Sequence, residues 1–98
     1  VGGRAMSRAV DATSCPRLAR GVKMRFDGAR QQWMLNAPER VLLLDEIAQI
    51  ILSRCDGVVS VDALCRELAL EFAAPQEIIQ ADVMELLAGM LHSGFIRI

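Results

Sequence analysis

The chain has 98 residues, 53% of them apolar, and a net charge of −1. That length allows one domain whose core removes about 60–65% of the unfolded surface from water, leaving little room for a deep, dry catalytic cavity. No apolar run approaches the ~18–20 residues that span a bilayer, and the polar, Arg-containing start lacks a signal-peptide core, so a soluble, cytoplasmic protein is expected and a membrane protein is not. Residues 1–40 carry eight Arg or Lys against three Asp or Glu, and residues 41–98 carry three against nine, so the two halves hold +5 and −6. The plain reading is two solvated faces of opposite sign, and the functional one is a dipolar surface that orients partners. The apolar excess predicts surface shared with a partner or with a second copy of the chain.

Residues 1–16 are rich in Gly, Ala, Ser and Thr without periodicity and are expected to form a disordered tail. Met6 fits a natural start, with residues 1–5 an upstream extension. From residue 17 the pattern is that of one folded domain. Val22, Met24 and Phe26 alternate with Lys23 and Arg25, the signature of a strand with one apolar face. Asp27-Gly28 marks a hairpin turn, and Gln31 to Leu35 returns with Trp33 and Leu35 on the inner side. Pro38 breaks the ladder, and Glu39 to Leu43 is expected to form a third strand with Val41 and Leu43 facing inward. Asp45 caps a helix whose core stripe is Leu44, Ile47, Ala48, Ile51 and Cys55 and which Gly57 stops. Ser60 caps a second helix with Val61, Leu64, Cys65, Leu68 and Phe72 on its apolar face. Pro75 opens a third helix, Gly94 closes it, and Phe95 to Ile98 form a terminal strand or hydrophobic plug. The predicted fold is α+β: three N-terminal antiparallel strands followed by three helices, a small winged helix-turn-helix-like domain.

The third helix is apolar over too wide an arc. At 100° per residue Ile79, Val83, Leu86 and Met90 form one stripe, and Leu87, Leu91, Met84, Ala88 and Ala81 continue around the cylinder. Together they cover roughly 220°, about twice what core packing requires. The surplus face is assigned to one wall of a groove, with the edge at Arg40, Val41, Leu42 and Leu43 as the other. An extended peptide added at that edge would touch Leu42, Met84, Leu87 and Leu91, and Arg40 would hold an acidic side chain.

Catalytic parts are missing. A single His, His92, sits near a helix end, and no nucleophile–base pair accompanies it. Cys15, Cys55 and Cys65 have no Cys-x-x-Cys spacing, so a metal is not expected. Cys55 and Cys65 fall at apolar helical positions and read as buried, inert thiols, whereas Cys15 reads as exposed. DNA binding is the rival function for such a fold, but Gln76 to His92 contains no Lys or Arg and three acids, which sets like charge against phosphates. A plain homodimerisation module, using the wide arc for self-association, is the other alternative.

Several stretches resemble one family. Pro16-Arg17-Leu18, Gly21-Val22-Lys23-Met24-Arg25, Trp33-Met34-Leu35-Asn36-Ala37-Pro38-Glu39-Arg40-Val41 and Cys55-Asp56-Gly57 are similar to pyrroloquinoline quinone biosynthesis protein D, PqqD. Asp82-Val83, Leu86-Leu87 and Ser93-Gly94-Phe95-Ile96 extend the likeness over residues 16–98. The resemblance implies a peptide chaperone without enzymatic activity, metal or cofactor, the prototype of recognition domains for ribosomally made, modified peptides. It implies binding of the precursor peptide PqqA and its presentation to the radical S-adenosylmethionine enzyme PqqE, which cross-links a Glu to a Tyr. The family's groove between third strand and third helix falls on Arg40 to Leu43 and on the Ala81 to Leu91 face.

Overall fold

Alternating side chains and well-placed turn residues set the sheet first. The computed structural model describes residues 9–98. Along them run β1 (Arg17–Leu18), β2 (Lys23–Asp27), β3 (Gln32–Ala37), β4 (Arg40–Leu44), α1 (Glu46–Ser53), α2 (Val61–Glu71), α3 (Gln76–His92) and β5 (Ile96–Arg97). Strands β2, β3 and β4 form one antiparallel sheet in that order, and β1 pairs with β5 in a separate ribbon. The three strands and three helices of the sequence reading are present, β5 falls within the terminal strand expected at Phe95 to Ile98, and β1 is added. Asp27 makes the first turn: its Oδ1 accepts from the N–H of Ala29 at 3.1 Å and of Arg30 at 3.3 Å.

Leu35, with 0% exposure, marks the inner face of the sheet. Met24 and Leu42 lie directly opposite it, and Trp33 lies between Phe26 and Leu44. Paired residues share a face, so Leu42 and Leu44 point inward. Val41 and Leu43 point outward and are 57% and 55% exposed, the reverse of the expected parity. Four apolar residues in a row, Val41 to Leu44, carry no alternation from which the face could be read.

The helices close over that face. The Asp45 carboxylate caps α1 by accepting from Ala48 N–H at 2.7 Å, and the Ser60 hydroxyl caps α2 by accepting from Ala63 N–H at 3.1 Å. Ala48, Ile51, Leu52 and Cys55 are buried, so the α1 stripe is centred one position later than expected and Ile47 is left on its flank. Phe72, expected in the α2 stripe, also remains exposed, at the end of that helix. Val83, Leu87 and Met90 are the buried residues of α3. Gly94, at φ 81°, ends α3 in a Schellman turn: Phe95 N–H bonds Met90 O at 2.9 Å and Gly94 N–H bonds Leu91 O at 3.1 Å. Phe95 and Ile96 then plug the core as expected.

The tail expectation needs correction. Residues 1–8, and with them Met6, lie outside the described residues, but residues 9–16 are packed rather than loose. Val10, Ser14 and Pro16 are buried. The first amides of α2 have no acceptor within their own helix. Val61 N–H bonds Ser14 O at 2.8 Å, Asp62 N–H bonds Ala12 O at 3.0 Å, and Gly57 N–H bonds Pro16 O at 2.9 Å. Polar composition hid a segment that is ordered through its backbone.

Leu35→Ala is expected to lower stability by about 3 kcal/mol, because it opens a cavity under the sheet. Leu43→Ala is expected to stay within about 0.5 kcal/mol, as a surface change. Urea unfolding of the two variants checks the parity of the sheet.

Candidate functional site

Strand β4 is an edge: β3 covers one side, and no strand among the described residues covers the other. Its two-residue loop, Pro38-Glu39, closes on the Ala37–Arg40 pair. A closing pair of this kind exchanges both backbone hydrogen bonds, so bonded pairs recur at Leu42 and Leu44. Val41 and Leu43 therefore turn their N–H and C=O outward along the free edge. Two consecutive sites for an added strand result.

Two contacts fix where α3 lies relative to this edge. At the start of β4, the Arg40 guanidinium donates to the Ser93 carbonyl and stacks on the Phe95 ring, 4.1 Å from its centroid. Beyond the end of β4, Ile47 and Ile50 of α1 share a cleft of about 280 Å³ with Leu68 and Phe72 of α2 and with Ile79 and Asp82 of α3. The line from β4 into α1 therefore runs antiparallel along α3, from residues 93–95 to residues 79–83. At about 100° per residue, Ile79, Asp82, Leu86, Gly89 and Ser93 fall within an arc of about 80° and form the flank nearest that line.

This arrangement divides the expected site. Arg40, Val41, Leu42 and Leu43 sit together, but Val41 and Leu43 offer backbone, whereas Leu42 offers its side chain on the inner face. Leu87 is 0% exposed, so its side chain is core and not groove. Ala81 and Ala88 are exposed and Met84 and Leu91 half-buried. These four centre about 160° around the helix from the Ile79–Ser93 flank, so β4 does not face them. Ile47, Ile50, Ile79 and Asp82, which line the cleft, were not anticipated as site residues. Their spacing carried no such signal, since Ile47 reads as a core position and proves to be 55% exposed.

The cleft suits apolar side chains. Seven of its eight lining residues are apolar, and Asp82 is its one charged group. A larger concavity of about 610 Å³, at Asp11, Thr13, Arg17 and Arg97, is mixed in charge and open, so it would desolvate a ligand poorly. Among the described residues no group of three or more His, Cys, Asp or Glu could hold a metal. Burial, with the Asp56 carboxylate adding to it, pushes the Cys55 thiol up to about 12, and burial raises that of Cys65 too. A thiol so raised is almost wholly protonated at neutral pH and is a poor nucleophile. Cys15 is half-exposed. Labelling with a maleimide at pH 8 should therefore modify one thiol in the native protein and all three after denaturation; rapid modification of Cys55 in the folded chain would contradict its burial.

The chain is similar to known proteins in both sequence and fold. The family described as Coenzyme PQQ synthesis protein D (PqqD) matches residues 32–96. A protein of Xanthomonas oryzae named PqqA binding protein is 46% identical over 85% of this chain and 90% of its own length. The solution structure of the PqqD truncation of Methylobacterium extorquens PqqCD, described as a functional, stand-alone recognition element for ribosomally synthesised and post-translationally modified peptides, superposes with a TM-score of 0.80. It is 36% identical, over 92% of this chain and 96% of that one. The crystal structure of PqqD from Xanthomonas campestris superposes with a TM-score of 0.59 at 40% identity, over 92% of this chain and 100% of that one. A family match over residues 32–96, a relative 46% identical over most of its length and the shared small α+β fold place the chain in the PqqD family.

Proposed function

We propose that this chain is a non-catalytic peptide chaperone of pyrroloquinoline quinone biosynthesis, which binds the precursor peptide PqqA as an added strand on β4 and presents it to the radical S-adenosylmethionine enzyme PqqE. The observation that carries the reading is the free β4 edge beside an apolar cleft. Backbone bonds to Val41 and Leu43 supply affinity that does not depend on sequence, and alternate peptide side chains drop toward Leu42, Ile47, Ile79 and Leu86. Relatives named PqqA binding protein support the identity of the peptide. The described residues contain no helix long and apolar enough to cross a membrane, in keeping with a cytoplasmic carrier. Tethering a flexible substrate raises its local concentration at the enzyme.

The succession of α1, α2 and α3 behind the β2–β3 hairpin fits a winged helix-turn-helix scaffold turned to peptide recognition. Duplex binding is the weaker reading, because Glu77, Asp82 and Glu85 leave α3 without a single cation for phosphates. Association of two copies through the β4 edge would compete with the peptide and show as weaker binding at high protein concentration.

Leu43→Pro tests the mode directly. Its outward N–H is not part of the β3–β4 ladder, so removing it spares the sheet, as at other edge-strand prolines. PqqA binding by calorimetry is expected to weaken about tenfold, the order expected from losing one well-made hydrogen bond together with a poorer backbone fit. Thermal unfolding should move by only a few degrees. Unchanged affinity would remove β4 from the binding site.

A further inference from the structure

The two ends of the groove carry opposite charge. At the cleft end, the Asp82 carboxylate stands among apolar walls, and no Lys or Arg among the described residues forms an ion pair with it. Glu46 adjoins the same end, next to Ile47, and is likewise without an ion-pair partner among the described residues. At the other end stands Arg40, which spends one donor on Ser93 O and retains others of its five.

We propose that this polarity selects the ligand and sets its direction: the bound segment is extended, apolar in the middle, cationic at its N-terminal end against Asp82 and anionic at its C-terminal end against Arg40. Direction follows from pairing, because an antiparallel strand is the more stable addition to an edge and continues the pattern of this sheet. Antiparallel to β4, the N-terminal end of the peptide lies beyond Leu44, at the cleft. Spacing follows from α3. Asp82 to Ser93 is eleven residues, about 16 Å of helix at 1.5 Å per residue. An extended chain covers that distance in about five residues at 3.3–3.4 Å each. The recognised pattern is therefore a Lys or Arg about five residues before an Asp or Glu. Asp82 acts as a specificity residue, because a cation placed against it recovers the desolvation that closing the groove imposes, and an acid there does not.

This inference rests on strand addition at β4, and the experiment separates the two. The probes are two blocked synthetic peptides of equal composition, acetyl-Lys-Leu-Val-Leu-Val-Glu-amide and acetyl-Glu-Leu-Val-Leu-Val-Lys-amide, with PqqA itself as the reference ligand. Each competes with labelled PqqA for the full chain and for Asp82→Lys, an exposed position whose change leaves the core intact. The Lys-first peptide should win by about tenfold in low salt, the preference should fade at 0.5 M salt, and Asp82→Lys should abolish or invert it. If PqqA binds but both peptides compete equally, or neither competes, the polarity is refuted while strand addition survives. If PqqA fails to bind, the reading beneath falls and the inference with it.

Discussion

The proposed strand addition depends on the parity of one five-residue strand. Pairing of Leu35 with Leu42, forced by the complete burial of Leu35, fixes which side chains of β4 face the core. The same pairing, together with the Pro38-Glu39 turn, fixes which backbone groups face away from β3. A slip of one residue would exchange both sets. Val41 and Leu43 would then be buried side chains with inward backbone, and the edge would present Leu42 instead. The core and the edge are thus specified by one register.

An exposed apolar edge is ordinarily a hazard, since it templates pairing with any extended chain. Here the edge is short, starts at a cation and is bordered by a helix. Arg40 ties β4 to the cap of α3 through Ser93 and Phe95, and Gly94 permits the close approach. A Cβ at that position would stand 3.2 Å from the Arg40 guanidinium. The turn that ends α3 therefore fixes the start of β4 against that helix. In the proposed binding mode the cleft of α1, α2 and α3 would supply the selectivity, because strand pairing alone does not distinguish sequences.

Much of the fold was legible in the sequence, because local chemistry decides it. Asp27, Asp45 and Ser60 act on neighbouring amides through their side-chain oxygens, and Pro75 and Gly94 through their backbone conformation, each in the expected place. What failed were decisions made by tertiary contacts. The run Val41 to Leu44 offers no alternation, so only the partner strand assigns its faces. The α3 arc is apolar on both flanks of a core centred on Val83 and Leu87, and no property of the helix alone tells which flank meets β4. That choice is made by Arg40 and Ile47, distant in sequence from α3. Residues 9–16 are ordered because their carbonyls complete α2, a role that composition does not encode. Of the expected site residues, those of the strand sit together on one edge, whereas those of the helix are divided between core and surface.

The central claim, that Val41 and Leu43 carry outward amides which an added strand engages, is tested most directly by amide hydrogen exchange resolved at single residues. In the free protein these two amides should exchange much faster than those of Leu42 and Leu44, which the sheet holds, and on addition of PqqA both should slow together. Val41 and Leu43 amides already protected in the free chain, or unaffected by saturating PqqA, would contradict the account.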